Sequence, residues 1–503
     1  MLSLRRSRSR VVSLVAGASL LAAGLVGVGT TGAGSAWGAP GDPVDPAQEQ
    51  NTYAKTQERA EVYLTPAGLA ALATLGAETF VQALVEQGSD PERFYLSDAC
   101  WSGSLTCAGD VRLARWREDG HGKVREVLYT ARNGATLNGH VWATDAGPRK
   151  RPLVVITPGS VQAPEQLYWW AAQTLAKQGY VVLTRDAQGQ GQSDTFGEGV
   201  DFLDSVPSQT TGVTFFDGTQ DSLDFALSSK ADPYCPRRSR SGTSHCDKQE
   251  RRAAAGLNAG WNPFARLVDR TRVGLAGHSY GAAGVSWVGQ QDRRVDAVVA
   301  WDNLCDVTAA TPPRLTAGGN VPAGCLEGGL GSPKPRVPSL GISNDYGLTP
   351  TPFLTEPDPR AKSQGSRVFS KAGVDSGQLV VRGGTHYEYS FIPTPTFGAT
   401  RRGIDLASWY TTAWFDRYVK GSGAGALDRL LTDGWRHDAV DREVDPEGGG
   451  DLLSERYRSR LDIGRDGGLR VRCEDLRGDC AALRADDRPS SYSYVRIATS
   501  PDR

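Results

Sequence analysis

No Cys-x-x-Cys pair occurs in the chain, and no histidine stands at zinc-finger spacing from its cysteines. A bound structural metal is therefore not expected. Neither sign of charge is in excess: 56 Lys and Arg face 57 Asp and Glu, for a net charge of −1. That balance supplies no basic face, which argues against nucleic acid as a partner. Histidine is scarce, with only 6 in 503 residues, so imidazole chemistry has few candidates. There is no internal repeat, which excludes a solenoid or propeller array. With 39% hydrophobic and 22% charged residues, the composition is neither that of a disordered chain nor of a multi-spanning membrane protein.

What is present begins with an export signal. "MLSLRRSRSR" is a positive leader, "VVSLVAGASLLAAGLVGVG" is uncharged and apolar, and "GSAWGAP" offers small residues for cleavage after Ala36 or after Ala39. Left uncleaved, the apolar stretch is long enough to act as an anchor; Gly-rich composition and the small residues that follow favour cleavage. The Arg5-Arg6 pair permits twin-arginine export, and the general secretory route stays open beside it. Four arginines and no acid fall within residues 1–39, so the remainder is mildly acidic. The expected location is extracellular, with no stable membrane partner after cleavage.

Eight cysteines fit that destination. They fall into four local couples, Cys100/Cys107, Cys235/Cys246, Cys305/Cys325 and Cys473/Cys480. Each couple would close a short loop, stabilising the fold by roughly 2–3 kcal/mol through the unfolded chain's entropy. Many other pairings are combinatorially open, so this local set is a preference.

Along the chain, "TPAGLAALATLGAETFVQALVEQG" (65–88) reads as one or two helices, with Thr65 as N-cap, Pro66 at the first helical position and Gly88 as a stop. "VRLARW", "VREVLYTA" and "LNGHVWAT" alternate like antiparallel strands, the last two joined by a turn at "RNGA". From residue 152 the texture changes. "PLVVITPG", "YVVLTRDA", "VGLAGHS", "VDAVVAWD", "VPSLGISND" and "QLVVRGG" are short continuous apolar runs, as expected of parallel strands covered on both faces. Helical patterns lie between several of them ("PEQLYWWAAQTLAKQG", "GTQDSLDFALSS", "IDLASWYTTAWFDRYVKG"). The expected class is α/β, a doubly wound and mostly parallel sheet, whose polar strand ends face the site.

Those strand ends carry the chemistry. "GHSYG" (277–281) sits between a strand and a helical stretch, the context a nucleophile elbow needs to lift Ser279 out of the sheet. His386 follows an apolar strand in "QLVVRGGTHYEYSF", whereas His437 lies in a polar stretch with no strand before it. For the acid, Asp345 in "SNDYGLTP" is favoured because it ends the strand before the one that leads to His386. Asp302 and Asp306 in "AWDNLCD" are its rivals, with turn capping as their ordinary role. Asp186 precedes the serine and is expected to tie down the "RDAQGQGQSD" loop. Oxyanion donors are expected from the backbone N–H groups of Tyr280 and Ser160. Trp169, Trp170, Trp301, Tyr280 and Tyr387 are candidate aromatic walls, or core.

"PGSVQAPEQLYWWAAQTLAKQGYVVLTRD", "GHSYGAAG", "SNDYGLTP" and "GGTHYEYS" together resemble the bacterial cutinase and polyester (PET) hydrolase branch of the α/β hydrolases, which borders the dienelactone-hydrolase-like esterases. The resemblance covers about 150–421. It implies Ser279 as nucleophile, His386 as base, Asp345 as acid, and an oxyanion hole from the Ser160 and Tyr280 amides. No metal or organic cofactor is implied. The expected organisation is a signal peptide at 1–39, an N-terminal extension at 40–110 and an α/β-hydrolase domain at 111–421. Loops at 230–262 and 303–336 are inserted in that domain, and a small C-terminal appendage spans 422–503. The extension, the 230–262 insertion and the long tail depart from the family pattern.

The expected activity is hydrolysis of a carboxylic ester (small molecule, lipid or polyester) through an acyl-enzyme, with the oligomeric state left open. Two rivals share the layout: a serine peptidase of the prolyl-oligopeptidase type, and a hydrolase-fold binding protein without turnover.

Overall fold

The computed structural model describes residues 66–95, 122–160, 163–203, 213–308, 333–347, 358–382, 384–390, 401–431, 453–454, 456–464, 468–476 and 494–498. The export signal, Cys100, Cys107, Cys325, Cys480, His437 and the "VRLARW" segment lie outside them.

The described residues begin with helix α1 (Pro66–Ser89). Strands β1 (Gly122–Thr130) and β2 (Thr136–Thr144) follow as an antiparallel hairpin. Its turn needs Gly134, whose φ of 88° is costly for a residue with a Cβ. Then come β3 (Arg151–Thr157), α2 (Trp169–Lys177), β4 (Val181–Arg185), α3 (Val213–Leu227) and α4 (Cys246–Ala254). The central part continues with β5 (Val268–His278), α5 (Tyr280–Gln291), β6 (Ala297–Trp301), β7 (Ser339–Asn344), α6 (Gln364–Lys371) and β8 (Ser376–Val381). The last elements are α7 (Arg401–Phe415), α8 (Gly423–Leu430), β9 (Arg460–Gly464), β10 (Leu469–Cys473) and β11 (Tyr494–Ala498).

The eleven strands of the described residues join one sheet in the order β1-β2-β4-β3-β5-β6-β7-β8-β9-β10-β11. The run from β4 through β3, β5, β6 and β7 to β8 is parallel, and both ends of the sheet are antiparallel. Every residue of β3, β4, β6, β7 and β8 is buried, which is why these strands read as unbroken apolar runs. Alternate residues serve opposite layers. Val154, Ile156, Val299 and Trp301 pack with α2 and α7, while Leu153, Val155, Val298 and Ala300 pack with α3 and α5. Helices thus cover both faces of a mixed, mostly parallel sheet: an α/β-hydrolase-like, doubly wound fold.

The stretch after 421 is more than an appendage in one respect: β9 pairs with β8, and β10 and β11 continue the same sheet. The 230–262 insertion is ordered and stapled by a Cys235–Cys246 disulfide. It packs against the outer strand β1 and the turn that follows it: Tyr234 Oη donates to the Thr130 carbonyl, Ala259 N to that of Leu128 and Lys248 Nζ to that of Gly134. Buried Arg252 of α4 grips Asp90 and Glu92, which fastens the segment after α1 to the same edge. Sheet edges are commonly shielded in this way. Cys305 and Cys473 also stand in disulfides.

Candidate active site

Strand β5 ends in Gly277 and His278, and α5 begins at Tyr280, so Ser279 must reverse the chain alone. It does so at φ 56° and ψ −120°, a conformation that costs a non-glycine residue on the order of 1–3 kcal/mol. The surroundings enforce it. Ser279 N donates to the Trp301 carbonyl on β6 (3.0 Å), and the Ser279 carbonyl accepts from Ala283 N in α5 (3.1 Å). The two flanking glycines are steric necessities. A Cβ on Gly277 would lie 2.4 Å from the Gly281 carbonyl oxygen, and one on Gly281 would lie 2.4 Å from the carbonyl oxygens of Thr157 and Pro158. Among the described residues, only Ser279 and Asp302 combine a side chain with positive φ, and both sit at strand ends on this side of the sheet.

His386 opens a short 3₁₀ turn after β8 and lies close above the elbow. Its ring centroid is 4.7 Å from that of His278, and its carbonyl accepts a hydrogen bond from His278 Nε2 (2.8 Å). His386 Nδ1 stands 2.5 Å from Asp302 Oδ2. This corrects the expectation for the acid: the carboxylate on the His386 ring belongs to Asp302, at the end of β6, and not to Asp345. Burial works to raise the Asp302 carboxyl, but the hydrogen bond and charge of His386, with Lys362 behind, outweigh it and hold Asp302 below the usual carboxylate range. Asp345 ends β7, is buried, and donates its N–H to the Val381 carbonyl (3.1 Å). Its negative charge, like that of Asp302, bears on Lys362, whose ammonium burial pushes down. Asp306 takes the capping role, accepting from the Thr308 amide and hydroxyl.

Two other histidines are occupied elsewhere. His140 Nδ1 is 2.6 Å from Glu165 Oε1, and His245 Nε2 is 2.8 Å from Asp201 Oδ2. Among the described residues no group of three or more His, Cys, Asp or Glu is arranged to hold a metal.

The loop after β3 carries the second expected oxyanion donor. Gly159 N, next to Ser160, donates to Tyr168 Oη (3.0 Å), which fixes the path of this loop. Gln190 clamps this loop, donating to the Gly159 carbonyl (2.9 Å) and accepting from Ala163 N (3.1 Å). Asp186 anchors the partner loop as expected: Oδ1 accepts from Glu165 N (2.7 Å) and Oδ2 from Gln192 N (2.9 Å). The Tyr280 amide is the first of α5, so it has no intrahelical acceptor and sits at the positive end of the helix dipole.

Of the aromatic candidates, Trp170 and Trp301 are core. They pack 5.3 Å apart, and each indole N–H is committed, to the Tyr389 carbonyl and to Thr411 Oγ1. Trp169, Tyr280 and Tyr387 are half-buried at the edge of the core, Trp169 against His140 and Trp142 and Tyr280 against Phe215. Sequence reasoning missed the Tyr168–His278 contact; nothing local in "QLYWW" or "GHSYG" marks two residues 110 positions apart as hydrogen-bonded.

No family model matches this chain, and no curated protein shows significant similarity to it.

Proposed function

We propose that the chain is an exported serine hydrolase of carboxylic esters. The observation that carries this reading is the strained Ser279 at a strand–helix elbow, with the hydrogen-bonded His386–Asp302 pair at the same strand ends and the His386 ring packed on His278, the residue before the serine. Strain of that kind persists only where the surrounding structure over-determines it, and it concentrates at working residues.

In the proposed reaction, Ser279 Oγ attacks the acyl carbon while His386 Nε2 takes its proton. Asp302 keeps the proton on Nδ1, which leaves Nε2 as the base, and stabilises the imidazolium that forms. The amides of Tyr280 and Ser160 receive the negative charge that develops on the carbonyl oxygen. Collapse expels the alcohol, which takes the proton back from Nε2. Water, deprotonated by the same nitrogen, then cleaves the acyl-enzyme, releasing the acid and restoring Ser279. Trp169, Tyr280 and Tyr387 offer apolar surface for an acyl or aryl group. Residues 1–39 direct export, by the Sec or the Tat route.

The test is hydrolysis of p-nitrophenyl acetate, butyrate, octanoate and palmitate beside the anilide matched to the butyrate, with the chain from Pro40 onward. Ester turnover at least about 100-fold above the anilide is expected. An anilide cleaved as fast as its ester would move the assignment to a peptidase, and a folded protein inert to all of them would move it to a binding role.

A further inference from the structure

Beneath the site runs a chain of hydrogen bonds whose directions are fixed by chemistry. His278 is buried, 3% exposed, and both its ring nitrogens are engaged. Nε2 lies 2.8 Å from the carbonyl oxygen of His386, and Nδ1 lies 2.8 Å from the hydroxyl of Tyr168. A carbonyl oxygen only accepts, so Nε2 carries the proton. Burial, reinforced by the neighbouring His386, brings the His278 pKa down to about 3, which keeps the ring neutral and Nδ1 a lone pair. The Tyr168 hydroxyl must therefore donate to Nδ1. Burial pushes the Tyr168 phenol up, so that proton stays in place. Its oxygen is left to accept, and it accepts from Gly159 N at 3.0 Å.

The two ends of this chain are the two parts that the proposed chemistry must hold in register. One end is the backbone of the loop that presents the Ser160 amide. The other is the backbone of His386. Between them the packing leaves no slack: a Cβ on Gly159 would meet His278 Nδ1 and Tyr168 Oη at 3.1 Å and Ser279 Cβ at 3.2 Å. The Tyr389 ring closes the far side of His278 at 5.8 Å.

We propose that Tyr168 and His278 are positioning residues that lock the oxyanion loop to the base-bearing turn on either side of Ser279. The inference rests on the esterase reading above. Its physical basis is the narrow tolerance of such sites: oxyanion donors act from about 2.7–3.1 Å, and a displacement of about 1 Å costs on the order of 100-fold in rate.

The test starts with Tyr168→Phe, which keeps the ring and removes the hydroxyl. With p-nitrophenyl butyrate, kcat is expected to fall about 30- to 100-fold with KM within about threefold. Binding of an alkyl boronic acid, whose tetrahedral adduct on serine places oxygen in the hole, should weaken by a similar factor. A second pair guards against a folding artefact. His278→Gln offers one donor and one acceptor and should retain at least about fivefold more kcat than His278→Leu at equal folded fraction. Tyr168→Phe within twofold of wild type, a loss confined to KM or melting temperature, or equal kcat for the two His278 variants would each overturn the inference while leaving the esterase reading intact. A folded wild type with no ester turnover would overturn both.

Discussion

Asp302→Asn is expected to lower kcat for p-nitrophenyl butyrate by about 10³- to 10⁴-fold with little change in KM, as loss of the carboxylate partner does in comparable serine–histidine sites. The reason lies in the 2.5 Å contact between Asp302 Oδ2 and His386 Nδ1. An ionised carboxylate accepts the Nδ1 proton and leaves Nε2 free as a base. An asparagine can instead present its NH₂ to Nδ1, which places the imidazole proton on Nε2 and removes the base. The paired experiment is Asp345→Asn. Asp345 faces the buried Lys362 together with Asp302, so its neutralisation should cost stability, roughly 1–3 kcal/mol, while kcat stays within about tenfold. If Asp345→Asn abolishes turnover and Asp302→Asn does not, the assignment of the acid is reversed.

Folding stability should fall as pH is lowered from about 6.5 toward 3, and His278 should account for a separable part of the fall. The sign follows from its environment. Desolvation and the neighbouring His386 bring its folded pKa to about 3, below the value near 6.5 expected when unfolded. Between those limits the unfolded chain binds a proton that the folded chain does not, so stability rises with pH by about 1.4 kcal/mol per pH unit. Other titratable groups face the same ring: Tyr168, His386, Tyr389 and, by its charge, Asp302. Of these, Asp302 contributes with the same sign, because its folded pKa is also lowered, but only below about pH 4. Urea unfolding of wild type and His278→Phe across pH 4–7 isolates the term. The stability advantage of wild type should shrink by about 3 kcal/mol from pH 7 to pH 4. An advantage independent of pH would mean that His278 accepts a proton in the folded state.

The architecture was legible where local rules agree with tertiary context. Continuous apolar runs became doubly covered strands, and the Gly-His-Ser-Tyr-Gly turn fell between β5 and α5 because only glycine fits at 277 and 281. The end of the sheet was hidden for a physical reason. In β9 and β10 the buried Leu461, Ile463, Val471 and Cys473 alternate with Arg460, Asp462, Arg470 and Arg472. Those charges are matched across strands and to neighbours, Arg470 with Asp462 (2.5 Å) and Asp375 (3.0 Å), and Arg460 with Glu474 (3.4 Å). Written in one dimension, paired charges look like a solvated tail. The identity of the carboxylate at His386 was obscured differently. Asp302 and Asp345 both end buried parallel strands in similar local text, and only the path of the turn from β8 decides which of them meets the imidazole. The Tyr168–His278 bridge is likewise a product of tertiary packing alone.

The central claim, that Ser279 is an activated nucleophile, is tested most directly by treating the folded protein with a fluorophosphonate and mapping the adduct by mass spectrometry. One phosphonyl group per chain on the peptide carrying Ser279, absent in a folded Ser279→Ala variant that has also lost ester turnover, is the predicted result. An unlabelled wild type, or an adduct on another residue with turnover unchanged in Ser279→Ala, would contradict it.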